Sequence, residues 1–340
     1  MEKQYVVAIV GASGAVGLEL LKLLDSEHFP ISKLVLLASS KSAGKKLKFK
    51  GKDLEIKETT ESIFAKEGVE IAFFSAGGSV SEKYAKHAAD AGALVIDNTS
   101  FFRMNPDVPL VVPEVNPQDI FEYESRIIAN PNCSTIQMVH ILNPLHKAFG
   151  IRRVDVSTYQ AVSGAGLKGM EELLNQTKEY LEGKTKLTPS AFKHQIAFNL
   201  IPHIDVFLDN SYTKEEMKMV NETKKIMHSN FEVSATCVRV PVLRSHSESI
   251  TIKFDQVVDA DDAREILSKA ENVVVIDEIQ KDSYPMPTIS TDTDFTYVGR
   301  IRQDVSDKTI IHLFCVADQI RVGAATNALR IAQKYIAKNI

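Results

Sequence analysis

The sequence predicts an α/β protein of two domains, and three of its features lead to this prediction. The first half carries short, continuously apolar runs, which are typical of strands buried on both faces of a parallel sheet. Helical patterns separate these runs, as in successive βαβ units. After about residue 150, apolar and polar residues alternate, which indicates strands with one covered face. The 340 residues are enough for two cores of ordinary size.

Composition narrows the class of protein. A hydrophobic content of 44% with 25% charged residues is typical of a soluble globular protein. The formal net charge of −4 gives no electrostatic reason to expect a nucleic-acid partner. The three cysteines are widely spaced, so we expect neither disulfides nor a metal site, and a cytoplasmic location fits. We expect no membrane segment, because no apolar run approaches the ~18 residues that a span needs.

The first predicted strand leads into a glycine-rich turn. The apolar run Tyr5–Val10 is followed by the turn Gly11–Gly17 and then by the leucines of a helix. Small residues in such a turn let the backbone approach a pyrophosphate at the helix N-terminus. The spacing is G-x-x-G-x-x-G rather than G-x-G-x-x-G, and the glycines could instead serve only a tight turn. We predict a Rossmann-type dinucleotide-binding domain, with cofactor contacts at Gly11, Ser13, Gly14, Ala15 and Val16.

The residues after the second predicted strand, Leu34–Leu37, bear on the choice of cofactor. NAD-specific sites place an acidic residue there to hold the ribose 2′-hydroxyl, but this chain has no acid before Asp53. The hydroxyls and the cation of Ser39, Ser40 and Lys41 suit a 2′-phosphate instead. The sequence therefore predicts NADP, and the alternative is a solvated surface loop.

Two more strands belong to the predicted first sheet. Ile71–Ser75 is followed by a helix that Ser79 and Glu82 would open as a capping box. Leu94–Asp97 is followed by a polar cluster and Arg103. Ligands bind at the carboxyl ends of strands in such sheets, so Arg103 is a candidate anion site. An exposed structural arginine is an equal alternative.

The next predicted feature is a cysteine on a strand-to-helix turn. Ile127–Ala129 reads as the end of a buried strand, and Asn130-Pro131-Asn132 interrupts it. A helical pattern begins at Ser134, which places Cys133 at or next to a helix N-terminus. Unpaired N–H groups and the helix dipole there favour a thiolate. The alternative is a cysteine packed as a small hydrophobic residue.

The second half carries the remaining predicted elements. Thr213 and Glu216 form a second capping box, which starts a helix through about Met227. On this helix Glu215 and Lys218 lie three residues apart, and an ordinary surface ion pair is the default interpretation. The alternating strands are Arg153–Gln160, Glu232–Val242 and a strand ending at Phe254, and Thr309–Ala317 is a late strand carrying Cys315. A closing helix begins near Gly323, and a lone histidine such as His246 is more often structural.

These parts together indicate one chemistry. A thiolate attacks a carbonyl, hydride moves between the thiohemiacetal and a nicotinamide, and the acyl-thioester exchanges with phosphate.

The chain resembles the aspartate-β-semialdehyde dehydrogenase family, in its shorter bacterial branch, over essentially its whole length. The matching stretches are Gly11 to Gly17, Leu37 to Lys45, Ser75 to Gly78, Val112 to Asn116, Asn130 to Thr135, Gln160 to Gly166, Glu215 to Lys225, Arg239 to Glu248 and Gly323 to Leu329. The resemblance implies an NADP-binding domain over residues 1–132, joined by a closing helix at 323–340. It implies an α+β catalytic and dimerisation domain over 133–322, with a mostly antiparallel sheet.

The resemblance also implies roles for individual residues. Cys133 would be the nucleophile, His246 the general acid/base, and Gln160 would orient the acyl intermediate. The implied substrate-binding residues are Arg103 and Lys218 for phosphate, Glu215 for the amino group, Arg239 for the carboxylate, and Asn98 and Ser100. The further implied cofactor contacts are Ser75, Gly77, Ser163, Gly164 and Asn327. One departure is Lys41, where the family often has an arginine that can bind phosphate through two donors.

The implied reaction reduces 4-phospho-L-aspartate with NADPH to L-aspartate 4-semialdehyde and phosphate, on the route to lysine, threonine and methionine. A homodimer or a dimer of dimers is expected. N-acetyl-γ-glutamyl-phosphate reductase is an alternative with similar chemistry, but its cysteine turn typically reads Asn-Pro-Gly-Cys-Tyr. Glyceraldehyde-3-phosphate dehydrogenase uses similar thiolate chemistry, but its cysteine turn has a different sequence. A further alternative is a non-catalytic NADP-binding redox sensor. Such a sensor would need only the thiol of Cys133, so the presence of His246 and the anion-binding residues argues against it.

Overall fold

The structure, a computed structural model, describes residues 3–338 and divides into two compact units. The first takes in the chain up to Asn132 and again from Ala324, and the second is Cys133–Gly323. Within residues 3–338, no helix is both long enough and apolar enough to cross a membrane.

The first unit is built around a largely parallel sheet. Its elements are β1 (Tyr5–Val10), α1 (Ala15–Ser26), β2 (Ile31–Ala38), β3 (Lys46–Phe49), β4 (Lys52–Glu58), α2 (Ile63–Glu67), β5 (Ile71–Phe74), α3 (Gly78–Asp90), β6 (Leu94–Asp97), α4 (Asp119–Glu122), β7 (Ile127–Ala129) and, near the end of the chain, α10 (Thr326–Lys338). Within the described part of this unit the sheet has seven strands, in the order β3-β4-β2-β1-β5-β6-β7. All neighbouring pairs are parallel except the β3–β4 hairpin.

The central strands β1 and β5 of this sheet are apolar because both faces are covered. Val7 and Ile9 of β1 and Phe73 of β5 have no more than 1% of their surface exposed. They pack in one core with leucines of α1 and with Leu329 of α10. Because β1 pairs in parallel with both β2 and β5, the carboxyl ends of these three strands lie side by side at one edge of the sheet.

This unit contains one hairpin that was not predicted and lacks one capping box that was predicted. The β3–β4 hairpin was not expected from the sequence, because its short strands are charged and exposed on one side. The predicted capping box of Ser79 and Glu82 is wrong. α3 already begins at Gly78, so Ser79 lies inside the helix, and the N-cap is Gly77, which has a φ of 100° and no side-chain hydrogen bond.

The second unit combines one sheet with covering helices. Its elements are α5 (Cys133–Phe149), β8 (Ile151–Gln160), a 3₁₀ turn (Val162–Ala165), α6 (Leu167–Leu181), α7 (Lys214–Met227), β9 (Glu232–Arg239), β10 (His246–Phe254), α8 (Ala260–Ser268), β11 (Val273–Val275), a 3₁₀ turn (Ile279–Lys281), α9 (Pro287–Ser290), β12 (Thr296–Gln303) and β13 (Ile310–Ala317). A π-helical turn, Arg321–Ala325, precedes α10.

The sheet of the second unit is mostly antiparallel, as predicted. Over the described residues it has six strands in the order β11-β12-β13-β10-β8-β9. The three inner pairs are antiparallel and the two outer pairs are parallel. One face packs against α5, where Met138, Ile141 and Leu142 join strand residues in a buried core.

The two helix starts predicted in this part of the chain are confirmed. α5 begins at Cys133, directly after the Asn-Pro-Asn interruption that follows β7. α7 has a complete capping box, because Thr213 Oγ1 accepts from the Glu216 N–H at 3.2 Å and Glu216 Oε2 accepts from the Thr213 N–H at 2.7 Å. α7 ends at Met227, as the helical pattern indicated.

Candidate active site

Cys133 differs from the other two cysteines in its surroundings. It is partly exposed at the first position of α5, whereas Cys237 and Cys315 are buried. Burial is the main cause that raises the pKa of both buried thiols. Cys133 is therefore the one thiol of the three that combines access with a helix N-terminus.

The backbone of Gly323 comes close to this cysteine. A Cβ atom at position 323 would lie 2.6 Å from Cβ of Cys133 and 3.0 Å from its Cα. Real Cβ contacts do not reach this distance, so any larger residue would displace Cys133. Glycine at position 323 thus keeps the space that Cys133 occupies.

His246 is held in one tautomer by the backbone of the second unit. The side chain is fully buried, and the backbone N–H of Ala161 donates to its Nδ1 at 3.0 Å. An amide N–H can only donate, so Nδ1 is the acceptor and the neutral ring carries its proton on Nε2. Nε2 has no hydrogen-bond partner in the described structure. Burial, and then the charge of Arg239, lowers the pKa of His246 well below its ordinary value.

Arg239, at the end of β9, lies beside this histidine. Its guanidinium is buried and donates from Nη1 to the backbone oxygen of Ala161 at 2.7 Å. Burial lowers the pKa of Arg239, while the charges of Glu215 and Cys133 oppose that shift. The carboxylate and the thiol are thus close enough to act electrostatically on one guanidinium.

A chain of polar contacts continues from Glu215 along α7. Gln160 Nε2 donates to Glu215 Oε1 at 3.2 Å, and Lys218 Nζ lies 3.1 Å from Glu215 Oε2. Lys218 also contacts Asp205 at 2.8 Å. Burial disfavours the charged lysine, but Glu215 and Asp205 more than offset this and raise its pKa. The default ion pair between Glu215 and Lys218 is present, but Glu215 is buried rather than on an open surface.

The 3₁₀ turn after β8 also borders these side chains. A Cβ at Gly164 would lie 2.7 Å from Arg239 Nη1 and 3.2 Å from His246 Nε2, so Gly164 borders both side chains. The second unit therefore gathers seven of the predicted site residues: Cys133, Gln160, Gly164, Glu215, Lys218, Arg239 and His246. Ser163, in the same turn, accepts a hydrogen bond from Gln319.

The first unit gathers a second polar cluster. Arg103 is buried, and it donates from Nε to Asn130 O and from Nη2 to Asn98 O, both at 2.9 Å. The Asn130 amide donates to Asn98 Oδ1 and accepts from Asn327 Nδ2, each at 2.6 Å. Arg103 is thus not an exposed structural arginine. Ser100 is exposed in the bend after β6.

A cavity of about 490 Å³ opens in the first unit, at the carboxyl edge of its sheet. Its lining is Gly11, Ser13, Gly14, Ala38, Ser39, Ser40, Glu58, Thr59, Ser75, Ala76, Val80 and Tyr84. Six predicted cofactor contacts belong to it. Gly11 adopts a φ of +94°, and a Cβ there would lie 2.9 Å from the backbone of Ser75, so the turn can bring its backbone to the cavity only with glycine.

Other predicted cofactor contacts lie elsewhere in the described structure. Ala15 and Val16 are in the first turn of α1, Gly77 caps α3, and Lys41 is on an exposed turn. None of these four lines the cavity among the described residues. Asn327 lies in α10, with its amide in the polar cluster of Arg103.

Glu58 is a lining residue that the sequence reasoning missed. It ends β4, where it pairs in register with Ala38 at the end of β2. Glu58 lies about 20 residues after β2 in sequence, and the β3–β4 hairpin brings it back beside β2. The alternation of Leu54, Ile56 and charged residues was the available sign of a strand there. No group of three or more His, Cys, Asp or Glu among the described residues is placed to hold a metal ion.

Comparison with known proteins decides the family. Residues 6–123 match the semialdehyde dehydrogenase NAD binding domain, and residues 142–322 match the semialdehyde dehydrogenase dimerisation domain. The chain is 61% identical to the aspartate-semialdehyde dehydrogenase of Campylobacter jejuni, over 99% of this chain and 98% of that one. The chain belongs to the aspartate-semialdehyde dehydrogenase family.

Solved aspartate-semialdehyde dehydrogenases have the same fold. The crystal structure of aspartate semialdehyde dehydrogenase II from Vibrio cholerae, complexed with ASA, matches with a TM-score of 0.96 at 45% identity, covering 100% of both chains. The enzyme from Candida albicans, solved with NADP, matches with a TM-score of 0.77 at 27% identity over 99% of both chains. Membership of this family makes the chain an oxidoreductase of amino-acid biosynthesis with a pyridine-nucleotide-binding domain.

Proposed function

We propose that this chain catalyses the reversible, NADPH-dependent reduction of 4-phospho-L-aspartate to L-aspartate 4-semialdehyde and phosphate, in lysine, threonine and methionine biosynthesis. The observation that carries the proposal is the position of Cys133. It begins α5, partly exposed, in the same unit as the Nε2–H of His246 and within electrostatic reach of Arg239.

The chemistry follows from these groups, described here in the direction of semialdehyde oxidation. The Cys133 thiolate adds to the aldehyde carbon, and the C=O π electrons become an oxyanion. The Nε2–H of His246 donates to that oxygen, which is the electrostatic assistance a buried donor gives most effectively. NADP, when bound, accepts the hydride. The product on Cys133 is a thioester, and attack by phosphate breaks its C–S bond and restores the thiolate.

The buried charges of the second unit suit an amino-acid substrate. Arg239 offers a planar fork to the substrate carboxylate, and Glu215 offers a carboxylate to its ammonium. Gln160, bonded to Glu215 at 3.2 Å, would orient the acyl group between them. We propose a phosphate contact for Lys218 and, separately, one for Arg103. An N-acetylated substrate lacks the ammonium and would leave Glu215 without its partner, which disfavours the acetylglutamyl alternative.

The cavity of the first unit fits the phosphate-bearing end of a dinucleotide. The turn at Gly11 brings backbone to its wall, and α1 directs its N-terminus there. Ser39 and Ser40 line the cavity and offer donors to a 2′-phosphate, and a relative was solved with NADP. Glu58 opposes this preference, because its carboxylate repels a phosphate and can accept a hydrogen bond from a free ribose hydroxyl. We propose a preference for NADP that Glu58 limits.

A steady-state assay tests the proposed function. The purified chain is given NADP, phosphate or arsenate, and either aspartate semialdehyde or the N-acetylated glutamate semialdehyde. We expect anion-dependent formation of NADPH with aspartate semialdehyde alone. Equal or better turnover of the N-acetylated substrate would favour the reductase alternative, and no turnover of any semialdehyde would favour a sensor. We also propose a homodimer, on the match to the dimerisation domain, which light scattering would measure.

A further inference from the structure

Glu248 is a fully buried carboxyl group that the proposed mechanism does not use. It lies on β10, two residues after His246, and has no exposed surface. Neither of its carboxyl oxygens has a hydrogen-bond partner in the described structure. A buried carboxylate without donors or a cation is very costly, so this arrangement calls for an explanation.

The neighbours of Glu248 are neutral. In the sheet it pairs with Cys315 of β13 on one side and with Thr158 of β8 on the other. Cys237 of β9 is next to Thr158 and close enough to be affected by the charge of Glu248. On α5, Gln137 is close enough to lower the pKa of the carboxyl, but burial outweighs this effect. His140 is a buried titratable group on α5, and its Nδ1 forms a hydrogen bond with Thr296 Oγ1 at 2.8 Å.

Gln137 links this carboxyl to His246. Its Nε2 donates to the backbone oxygen of His246 at 3.3 Å, and its Oε1 has no partner. Gln137 also lies one helical turn after Cys133 on α5. A single amide thus connects the helix that begins with Cys133 to the strand that begins with His246.

A proton on Glu248 completes this network. A carboxylic acid has an O–H that can be donated to Gln137 Oε1, whereas a carboxylate has none. The bond satisfies the unpartnered amide oxygen and removes the buried charge at the same time. The amide is then fixed at both ends.

We propose that Glu248 is a positioning residue that remains a neutral carboxylic acid and, through Gln137, holds the His246 backbone against α5. The catalytic part of this inference rests on the proposed role of His246, and the protonation state of Glu248 does not.

Stability against pH tests the protonation state. Burial raises the pKa of Glu248 well above its ordinary value. The unfolded chain loses this proton near its ordinary pKa of about 4.3, while the folded chain keeps it. The folded state therefore binds more protons than the unfolded state above about pH 4.3, and this group makes stability fall as pH rises. Glu248→Gln removes the effect and keeps an N–H that can be donated to Gln137.

We expect Glu248→Gln to gain stability relative to the parent as pH rises from about 5 to about 8. The relative unfolding equilibrium constant should change by about tenfold per pH unit while the folded acid stays protonated. Glu172→Gln is the matched control, because Glu172 is also buried but accepts backbone N–H bonds from Ser190 at 3.0 Å and Phe192 at 3.2 Å. That control should lose stability at both pH values. A relative loss for Glu248→Gln with rising pH would overturn the inference.

Kinetics tests the positioning role. Glu248→Gln should keep kcat within about threefold, whereas Glu248→Leu, which has no donor, should lower kcat by about tenfold or more with little change in KM. Should Glu248→Leu fail to fold, Gln137→Met breaks the same connection and should show the same kcat loss. Full activity per folded molecule in the Leu or Met variant would show that the pair is only structural. The stability experiment remains informative even where the proposed reaction fails, since it needs no substrate.

Discussion

The backbone N–H of Ala161 donates to Nδ1 of His246 at 3.0 Å. An imidazolium would need a proton on both ring nitrogens, and its Nδ1–H would then face another N–H. Burial and the charge of Arg239 disfavour the cation further, so the pKa of His246 lies well below its ordinary value. In this geometry His246 is a neutral donor through Nε2. We therefore propose hydrogen-bond donation from Nε2, and the general acid/base role that the family resemblance implies stays a prediction.

The first prediction follows from this neutral histidine. The unfolded chain protonates this side chain near an ordinary pKa of about 6.5, but the folded chain does not. The resulting loss of folding stability is absent above about pH 6.5. It grows as pH falls below that value, because the unfolded state then binds the extra proton. His246→Asn keeps an acceptor for the Ala161 N–H and cannot titrate. The parent should therefore lose more stability than this variant between about pH 7.5 and pH 5, as measured by thermal unfolding.

Activity of the same variant separates catalysis from packing. Losing one donor to a developing oxyanion costs about 10²–10³ in kcat, so His246→Asn should fall by that much. A variant that unfolds at lower temperature but keeps its rate per folded molecule would leave His246 with a structural role only.

The second prediction concerns recognition of the substrate carboxylate. Arg239→Leu should lower kcat/KM for aspartate semialdehyde by about a hundredfold or more, because it leaves a buried charge without its partner. Arg239→Lys keeps the charge but loses the two-donor fork, so an intermediate loss is expected. NADP affinity, measured by fluorescence titration, should change little in both variants. A large loss of NADP affinity with an unchanged KM for the semialdehyde would contradict the assignment.

The third prediction concerns the space around Cys133, the proposed nucleophile. A Cβ at position 323 would lie 2.6 Å from Cβ of Cys133, so Gly323→Ala should displace the thiol. The expected losses are about tenfold or more in kcat, since a 1 Å misplacement can cost up to a hundredfold. The rate at which iodoacetamide alkylates Cys133 should change in parallel. Unchanged kinetics and an unchanged alkylation rate would show that the backbone at position 323 shifts without displacing Cys133.

The predictable part of this molecule is the part that local sequence determines. The strand β1, the turn at Gly11, the capping box of Thr213 and the turn at Cys133 each depend on neighbouring residues, and all appear where predicted. The failed capping box at Ser79 shows the limit. The residue types fitted a cap, but the N-cap is Gly77, with a positive φ, and the helix starts two residues earlier than a cap at Ser79 would place it.

The unpredicted part depends on residues that are distant in sequence. Glu58 reaches the cavity only because the hairpin returns β4 to the side of β2. The tautomer of His246 depends on an N–H that lies 85 residues away in sequence. Spacing along the chain carries no information about either contact. The residue types of the site could thus be proposed from the sequence, whereas its protonation states required the structure.

The fourth prediction tests two opposing charges, Glu58, which lines the cavity of the first unit, and Lys41, which follows the lining residue Ser40 on an exposed turn. Lys41→Ala should raise KM for NADP, and Glu58→Gln should lower it, each by about three- to tenfold, with NAD changed less by the lysine variant. The reason is that one substitution removes attraction to the 2′-phosphate and the other removes repulsion. Added salt should reduce both effects. Equal kcat/KM for NADP and NAD in the parent at low salt would show that the Ser39–Lys41 loop contributes no selectivity.

The most direct test of the account is to trap the acyl group on Cys133. The enzyme is mixed with aspartate semialdehyde and NADP without phosphate, and intact-mass spectrometry with peptide mapping follows. We predict a burst of about one NADPH per site and an aspartyl adduct on Cys133, which added phosphate discharges. Cys133→Ser should fold, bind NADP and form no adduct. An adduct on Cys237 or Cys315, or near-normal turnover by Cys133→Ser, would contradict the account.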